Sequence, residues 1–339
     1  MAGRQKLSKR RPCRPVGGGN TGWTEKGEGT RPMVQQDPPG GVEAQLLPEL
    51  FWTTDKASLD GQRETLRWYR GLIAMLVVAA VIGSFPDPDD KNALDIWPLF
   101  SVAAFLVAGY FWSRLRRGNP QGRWYQARAA AESVKTLAWK YTVRARPFDG
   151  AAESEDTDRG YLLQVEDVLR AFEDPEIVPP GSVAEITPEM RRQRAESLTA
   201  RRTLYLRTRV EGQRTWYRSR AEACDSQAVS WGLGVAVLII VGAAAAIAQA
   251  TGALPVHVFG ATSAAAAAII AWTQLKQLGP LAAAYQLAAR ELENVGNQLS
   301  DLDLKAPDAE ARWARLAAEA EDAVSREHTT WRARRAFPR

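Results

Sequence analysis

Apolar and polar positions fall in long alternating blocks along this chain, and the longest apolar block organises the rest. From Trp231 to Trp272 about forty residues pass without Asp, Glu, Lys or Arg. That is too long for one buried helix, whereas two helices of roughly 20 residues would each cross about 30 Å of hydrocarbon. Thr251, Gly252 and Pro255 mark a turn at its middle, flanked by Gln249 and His257. The pattern predicts a hairpin with spans over about 228–248 and 254–272.

A second pair of blocks lies upstream. Leu72–Phe85 is short for a span, but it is preceded by Arg63, Arg67, Trp68, Tyr69 and Arg70, and Ile96–Trp112 follows it. The latter ends in Arg114, Arg116 and Arg117. Between the two, Pro86–Asp95 carries four aspartates and Lys91. Basic residues outside a hairpin and acids within it place both ends in the cytoplasm, and Arg218, Arg220 and Lys276 give the second hairpin the same orientation. The expected topology is four spans with both termini inside.

The segments between and after the hairpins read as helices. Trp124, Ala127, Ala131, Val134, Ala138 and Tyr141 recur at 3-4-3-4-3 spacing and make one stripe. Ala151–Asp158 reads as an acidic loop, Glu153 and Glu155 as solvated, and Tyr161–Phe172 as a short helix. Thr187 with Pro188 looks like a helix start, from which a long Arg-rich helix is expected to run into the third span. Gly279-Pro280 should kink or reset the chain after the fourth span. Leu281, Tyr285, Ala288, Leu292, Val295 and Leu299 then form a stripe, as do Ala309, Trp313, Leu316, Ala320 and Ala323. No strand pattern of any length occurs, so the fold class is an all-α membrane protein: two transmembrane hairpins with a cytoplasmic bundle of long amphipathic helices.

Composition changes this picture little. The net charge of +5 comes largely from Arg at the edges of apolar blocks, which points to bilayer flanks and not to nucleic acid. Residues 1–44 are basic and rich in Gly and Pro; they cannot bury enough apolar surface to order themselves, and no apolar core follows to make a signal peptide. Cys13 and Cys224 imply no disulfide framework, and His257 and His328 form no metal cluster. GxSxG, HExxH, Cys-x-x-Cys and dinucleotide signatures are missing, so the chain reads as no enzyme, with no cofactor and no metal.

One phrase recurs. Trp68-Tyr69-Arg70 precedes the first span and Trp216-Tyr217-x-x-Arg220 the third; Gly61-Gln62-Arg63 and Gly212-Gln213-Arg214 each stand before a hairpin. Two hairpins with like lead-ins suggest a duplicated two-span module. On RWYQARAAAESVKTLAWKY (Arg123–Tyr141), ITPEMRRQRAESLTARRTLYLRTRVEGQRTWYRSRA (Ile186–Ala221) and SREHTTWRARR (Ser325–Arg335), the sequence resembles the SLATT family, the SMODS and SLOG-associating two-transmembrane effector domains. The resemblance covers roughly 45–335 and divides it into units over 45–172 and 186–335, a linker at 173–185 and a tail at 336–339. It implies a non-enzymatic membrane effector of bacterial conflict systems, a multi-pass protein of the inner membrane. Such effectors accompany nucleotide-signal synthases or sensors and act by opening membrane pores. A nearby-encoded sensor linked to a signalling nucleotide is then an expected partner, besides the bilayer and further copies of the chain.

Polar groups within spans are the candidates for a water path: Ser101, Ser230, Gln249, His257, Thr262, Ser263 and Thr273. Equally, such hydroxyls bond to carbonyls of their own helix. Gly232, Gly234, Gly242 and Gly260 are candidates for close helix packing. Interfacial anchors are Trp68, Tyr69, Arg70, Trp112, Arg114, Trp216, Tyr217, Arg220 and Trp272. The Arg-rich stretch Arg191–Arg220 reads first as a solvated face, with anionic lipid or a nucleotide as other takers. Two functions stand: a pore-forming effector that oligomerises on a cytoplasmic signal, and a non-conducting membrane scaffold whose helices recruit a cytoplasmic partner.

Overall fold

Prolines, caps and left-handed residues divide this chain more than loops do. The computed structural model describes residues 41–85, 96–151, 153–172, 174–253 and 258–334, with side chains to 324. The connector Pro86–Asp95, His257, residues 1–40 and the tail lie outside the described residues.

Helix α1 (Val42–Leu46) begins inside the stretch expected to be unstructured, and Glu43 explains why. Its carboxylate lies 3.2 Å from Lys135 Nζ and accepts from Trp139 Nε1 at 3.2 Å. Helix α2 (Glu49–Ile82) starts after Pro48 and runs 34 residues without a break. Its first half buries Leu50, Phe51, Thr54, Ser58, Gln62 and Leu66; its second half is the first apolar block.

Helix α3 (Trp97–Gly118) stops at Asn119, φ 39°, a left-handed conformation that Asn tolerates better than most residues. The Asn119 side chain then caps α4 (Pro120–Thr142) by accepting from the Gly122 N–H. Ala127, Ala131, Val134, Ala138 and Tyr141 are all buried along α4, as their spacing requires.

Helix α5 (Glu155–Ala171) starts earlier than the sequence suggested. Ser154 accepts from the Thr157 N–H, and Glu155, Asp156 and Asp158 in the first turn suit the positive end of the helix dipole. Half of the acidic loop, 155–158, is therefore helix.

Thr187 does cap α6 (Pro188–Ala195), accepting from Met190 N–H at 3.1 Å. The long helix expected from that cap is broken once near its start and then runs unbroken from Leu198 to Ala250. Glu196 turns extended, Ser197 caps α7 (Leu198–Leu204), and Arg201 Nε donates to the Glu196 carbonyl that the break leaves open. A π-helical segment, Tyr205–Glu211, follows before α8 (Gly212–Ala250).

Beyond α9 (Val258–Lys276) the chain breaks at Gln277, φ 49°, two residues before the expected Gly279-Pro280. Pro280 falls in the first turn of α10 (Leu278–Ser300), where its missing N–H has no partner to lose. Leu281, Tyr285, Leu292 and Leu299 are buried on its inner face. Helix α11 (Ala309–Arg334) closes the bundle, with Trp313 fully buried and donating from Nε1 to Val143 O at 2.7 Å.

Four helices are long and apolar enough to cross a membrane, and the described residues include no strand. They touch each other sparingly: 17, 11, 6 and 6 % of the apolar windows of α2, α3, α8 and α9, respectively, are buried. Large apolar side chains such as Leu106, Val229 and Ile240 stand 71, 73 and 68 % exposed, as a lipid environment allows. Packing joins α3 to α2, α2 to α9, and α9 to α8. The spans therefore make an open row, α3–α2–α9–α8, and not a closed bundle.

The duplication is visible in the backbone. In each half the first helix passes unbroken from the bundle into the apolar block, as α2 and α8 do. The second helix is broken below its span by a left-handed residue, Asn119 or Gln277.

Candidate functional site

The row is held by small residues. A Cβ on Gly71 would stand 2.9 Å from the Phe111 ring, and one on Gly242 2.8 Å from Thr262 Oγ1, so α2–α3 and α8–α9 meet where side chains vanish. Gly234 faces Ile269 and Gly260 faces Ser84 at looser distances, 3.9 Å each. Gly232 faces open space.

The polar residues of the spans are placed as follows. Ser101 is half-buried and donates across the α2–α3 contact to Ala79 O at 2.8 Å. Ser230 is exposed and donates to Ser226 O; Thr262 donates to Val258 O and Phe259 O; Thr273 donates to Ile270 O. Ser263 is exposed and Gln249 half-buried near the end of α8. The row brings Thr262 against Gly242, but it does not gather these residues around one axis.

Aromatic and cationic side chains cluster at the bundle ends of the spans. The guanidinium groups of Arg67 and Arg114 lie 5.6 and 5.3 Å from the Trp68 ring, and Trp68 Nε1 donates to Glu64. Arg70 reaches from α2 to stand 5.4 Å from the Trp272 ring of α9, and Lys276 approaches the same ring at 5.1 Å. This contact joins the two halves. Arg116 lies 5.7 Å from Trp112, itself 56 % exposed at the end of the row. Tyr69 is half-buried, as is Arg220, 5.6 Å from the Trp216 ring. Tyr217 turns inward, packed against Trp216 and Tyr285 and 2 % exposed, so it faces protein and not lipid.

Below this belt the bundle buries charge. Arg209 clasps Glu321 of α11 with two bonds, Nε at 2.9 Å and Nη2 at 2.8 Å, and Tyr205 donates to the same carboxylate at 2.8 Å. Neither side chain of the pair is more than 1 % exposed. Burial opposes the charge on Arg209, but the Glu321 carboxylate outweighs it and holds the guanidinium above its usual range. Arg128 meets Glu132 at 2.6 Å and Asp55 at 3.3 Å; burial likewise opposes its charge and the two carboxylates overcome it. Lys135 is pushed down, by burial first and by Arg209 next.

Two more arginines serve the backbone. Arg194 donates to Tyr141 O, Phe148 O, Gly150 O and Ala151 O, and stacks 4.6 Å from the Tyr141 ring. Arg201 donates to Val143 O and to Glu310. Burial lowers the pKa of both. Tyr141, desolvated and bonded to Asp158, is pushed up to about 12.

The solvated-face reading of Arg191–Arg220 therefore fails at Arg194, Arg201 and Arg209. Their spacing carried the signal: 190 and 194 stand four apart on α6, and 201 and 205 four apart after the break, with Met190 and Tyr205 as the apolar members. The π segment then adds one residue, which brings position 209 inward where regular spacing would bring 208.

These features define a multi-pass all-α membrane protein built from two two-span modules over a charged helical bundle. Family models assign both modules. Residues 48–202 match SMODS and SLOG-associating 2TM effector domain 3, and residues 205–331 match SMODS and SLOG-associating 2TM effector domain 1. The chain belongs to the SLATT family, with two units in tandem. SLATT domains are associated with bacterial conflict systems as effector domains and are not a known enzyme family. No curated protein and no solved structure matches the chain.

Proposed function

We propose that this protein is an effector of the bacterial inner membrane that assembles and permeabilises the bilayer when its cytoplasmic bundle receives a signal. The observation that carries this reading is the uninterrupted passage of α2 and α8 from the bundle core into the spans. Any shift in the bundle is felt directly at the membrane. Basic residues beside the inner ends of the spans favour both termini in the cytoplasm. The open row supports assembly, since a conducting path needs walls on all sides and four spans in a row supply one. The signal comes from outside the chain, through a sensor linked to a signalling nucleotide.

The test is membrane potential, read with a voltage-sensitive dye, in bacteria expressing the full chain together with its neighbouring genes during phage challenge. Depolarisation with growth arrest is expected. Removal of Val229–Trp272 should abolish it, and Gly242→Leu, which drives a side chain into Thr262, should weaken it severely. Membranes that stay polarised under challenge would overturn the proposal and favour a recruiting scaffold.

A further inference from the structure

The order of helices in the row carries a rule for extending it. Name the unbroken helix of each unit the first and the interrupted one the second. Along α3–α2–α9–α8 the sequence is then second, first, second, first. The contact that joins the units is a first helix, α2, against a second helix, α9. A two-fold junction would instead pair like with like. The chain already contains one head-to-tail step between homologous modules, and its two ends present the unmatched halves of another: α3, a second helix, and α8, a first.

We infer that α8 of one copy packs against α3 of the next copy, repeating between chains the step that α2 and α9 make within one; this rests on the assembly proposed above. Heterologous contacts of this kind close into rings when the rotation per step allows it.

The free faces fit such a contact. Ala104 and Ala108 are buried, and Ser101 and Phe111 reach α2, so Leu99, Val102, Leu106 and Gly109 lie on the far side of α3. On α8, Gly242 and Gly234 turn to α9, leaving Val229, Gly232, Ala236 and Ile240 opposite. Exposed apolar surface gives no drive in lipid; close approach at small residues does. Gly71, Gly234 and Gly242 each have a neighbouring helix within 4 Å, and Gly260 has Ser84 just past the end of α2, whereas a Cβ on Gly109 or Gly232 would meet nothing within 4 Å. Those two open glycines also sit at matching depth. Phe111 lies level with Gly71, Trp272 level with Arg70, and Ile269 level with Gly234, which puts Gly109 and Gly232 within about 3 Å along the membrane normal.

The experiment uses the full chain in native membranes with Cys13→Ser and Cys224→Ala. Leu106→Cys and Ala236→Cys, level and facing outward on the two end helices, are introduced together or separately, and cross-linking is induced by a mild oxidant. The double variant should give a ladder of dimers and larger species in membranes from phage-challenged cells that carry the neighbouring genes, and each single variant alone should stay monomeric. Differently tagged single variants expressed together should give one dimer carrying both tags. Gly109→Leu with Gly232→Leu should cut the ladder at least tenfold, while the melting temperature of the detergent-extracted protein stays put. A dimer from either single variant would overturn the inference in favour of a two-fold contact. Failure of this pair and of Val102→Cys with Ile240→Cys, in a protein of oligomeric native mass, would overturn this interface and leave assembly standing. A monomeric native mass with no cross-link would remove both.

Discussion

Glu321 is the residue on which the bundle's charge balance turns. It accepts three hydrogen bonds, two from Arg209 and one from Tyr205, with none of the three side chains open to water. Removing one partner of a buried pair leaves the other charge desolvated, which typically costs about 3–5 kcal/mol, while replacing both partners by apolar groups is often neutral. Glu321→Leu should therefore destabilise the detergent-solubilised protein severely, as followed by thermal unfolding. Arg209→Met combined with Glu321→Leu should recover most of that loss. Arg194 is a different case: with carbonyl partners and an aromatic face, it holds the turn after α4 through the backbone, and no carboxylate could be repositioned to replace it.

At the scale of elements, the π segment Tyr205–Glu211 decides which residues of the long third-span helix face the core. Its extra residue lets Arg201 and Tyr205 on one side of it and Arg209, Gln213 and Tyr217 on the other all be buried. Deleting Thr208 should restore regular winding and leave Arg209, Gln213 and Tyr217 on the face of Arg201 and Tyr205, because the π segment is what absorbs that residue. Arg209 would then stay with Glu321. The expected result is stability close to that of the unaltered chain and well above that of Glu321→Leu. Thermal unfolding of the two variants checks this.

The same segment marks where sequence legibility stopped. The spans, the α4 and α10 stripes and the Thr187 cap follow from local periodicity and cap chemistry, and the structure has them. The break at Glu196 and the inserted residue do not, because each depends on partners far along the chain: Arg201 on Val143 and Glu310, Arg209 on Glu321. Buried arginines also read as surface in any single-sequence pattern, since nothing local announces a carboxylate 112 positions away. The open row was equally illegible, for lipid-facing and helix-facing positions in these spans are alike in hydrophobicity.

Across the whole molecule, orientation is the prediction the charge pattern makes. Single cysteines at Ala253, in the turn between α8 and α9, and at Ser182, between α5 and α6, should differ in access. A membrane-impermeant maleimide added to spheroplasts should label Ala253→Cys, and label Ser182→Cys only after lysis. The reverse result would invert the topology and put the charged bundle outside.

The unequal continuity of the two helices in each unit has a mechanical consequence. α2 and α8 are rods, while α3–α4 and α9–α10 carry a joint at Asn119 and Gln277. A rod of 39 residues, the length of α8, measures roughly 58 Å, so a lean of about 5° at its base sweeps its far tip through about 5 Å. That is about half the spacing between packed helices. Under the proposed function, the joints of the companion helices leave the rods room to lean, each unit acting as a lever beside a hinge, and a small displacement at the bundle end of a rod would arrive enlarged at the far end of its span.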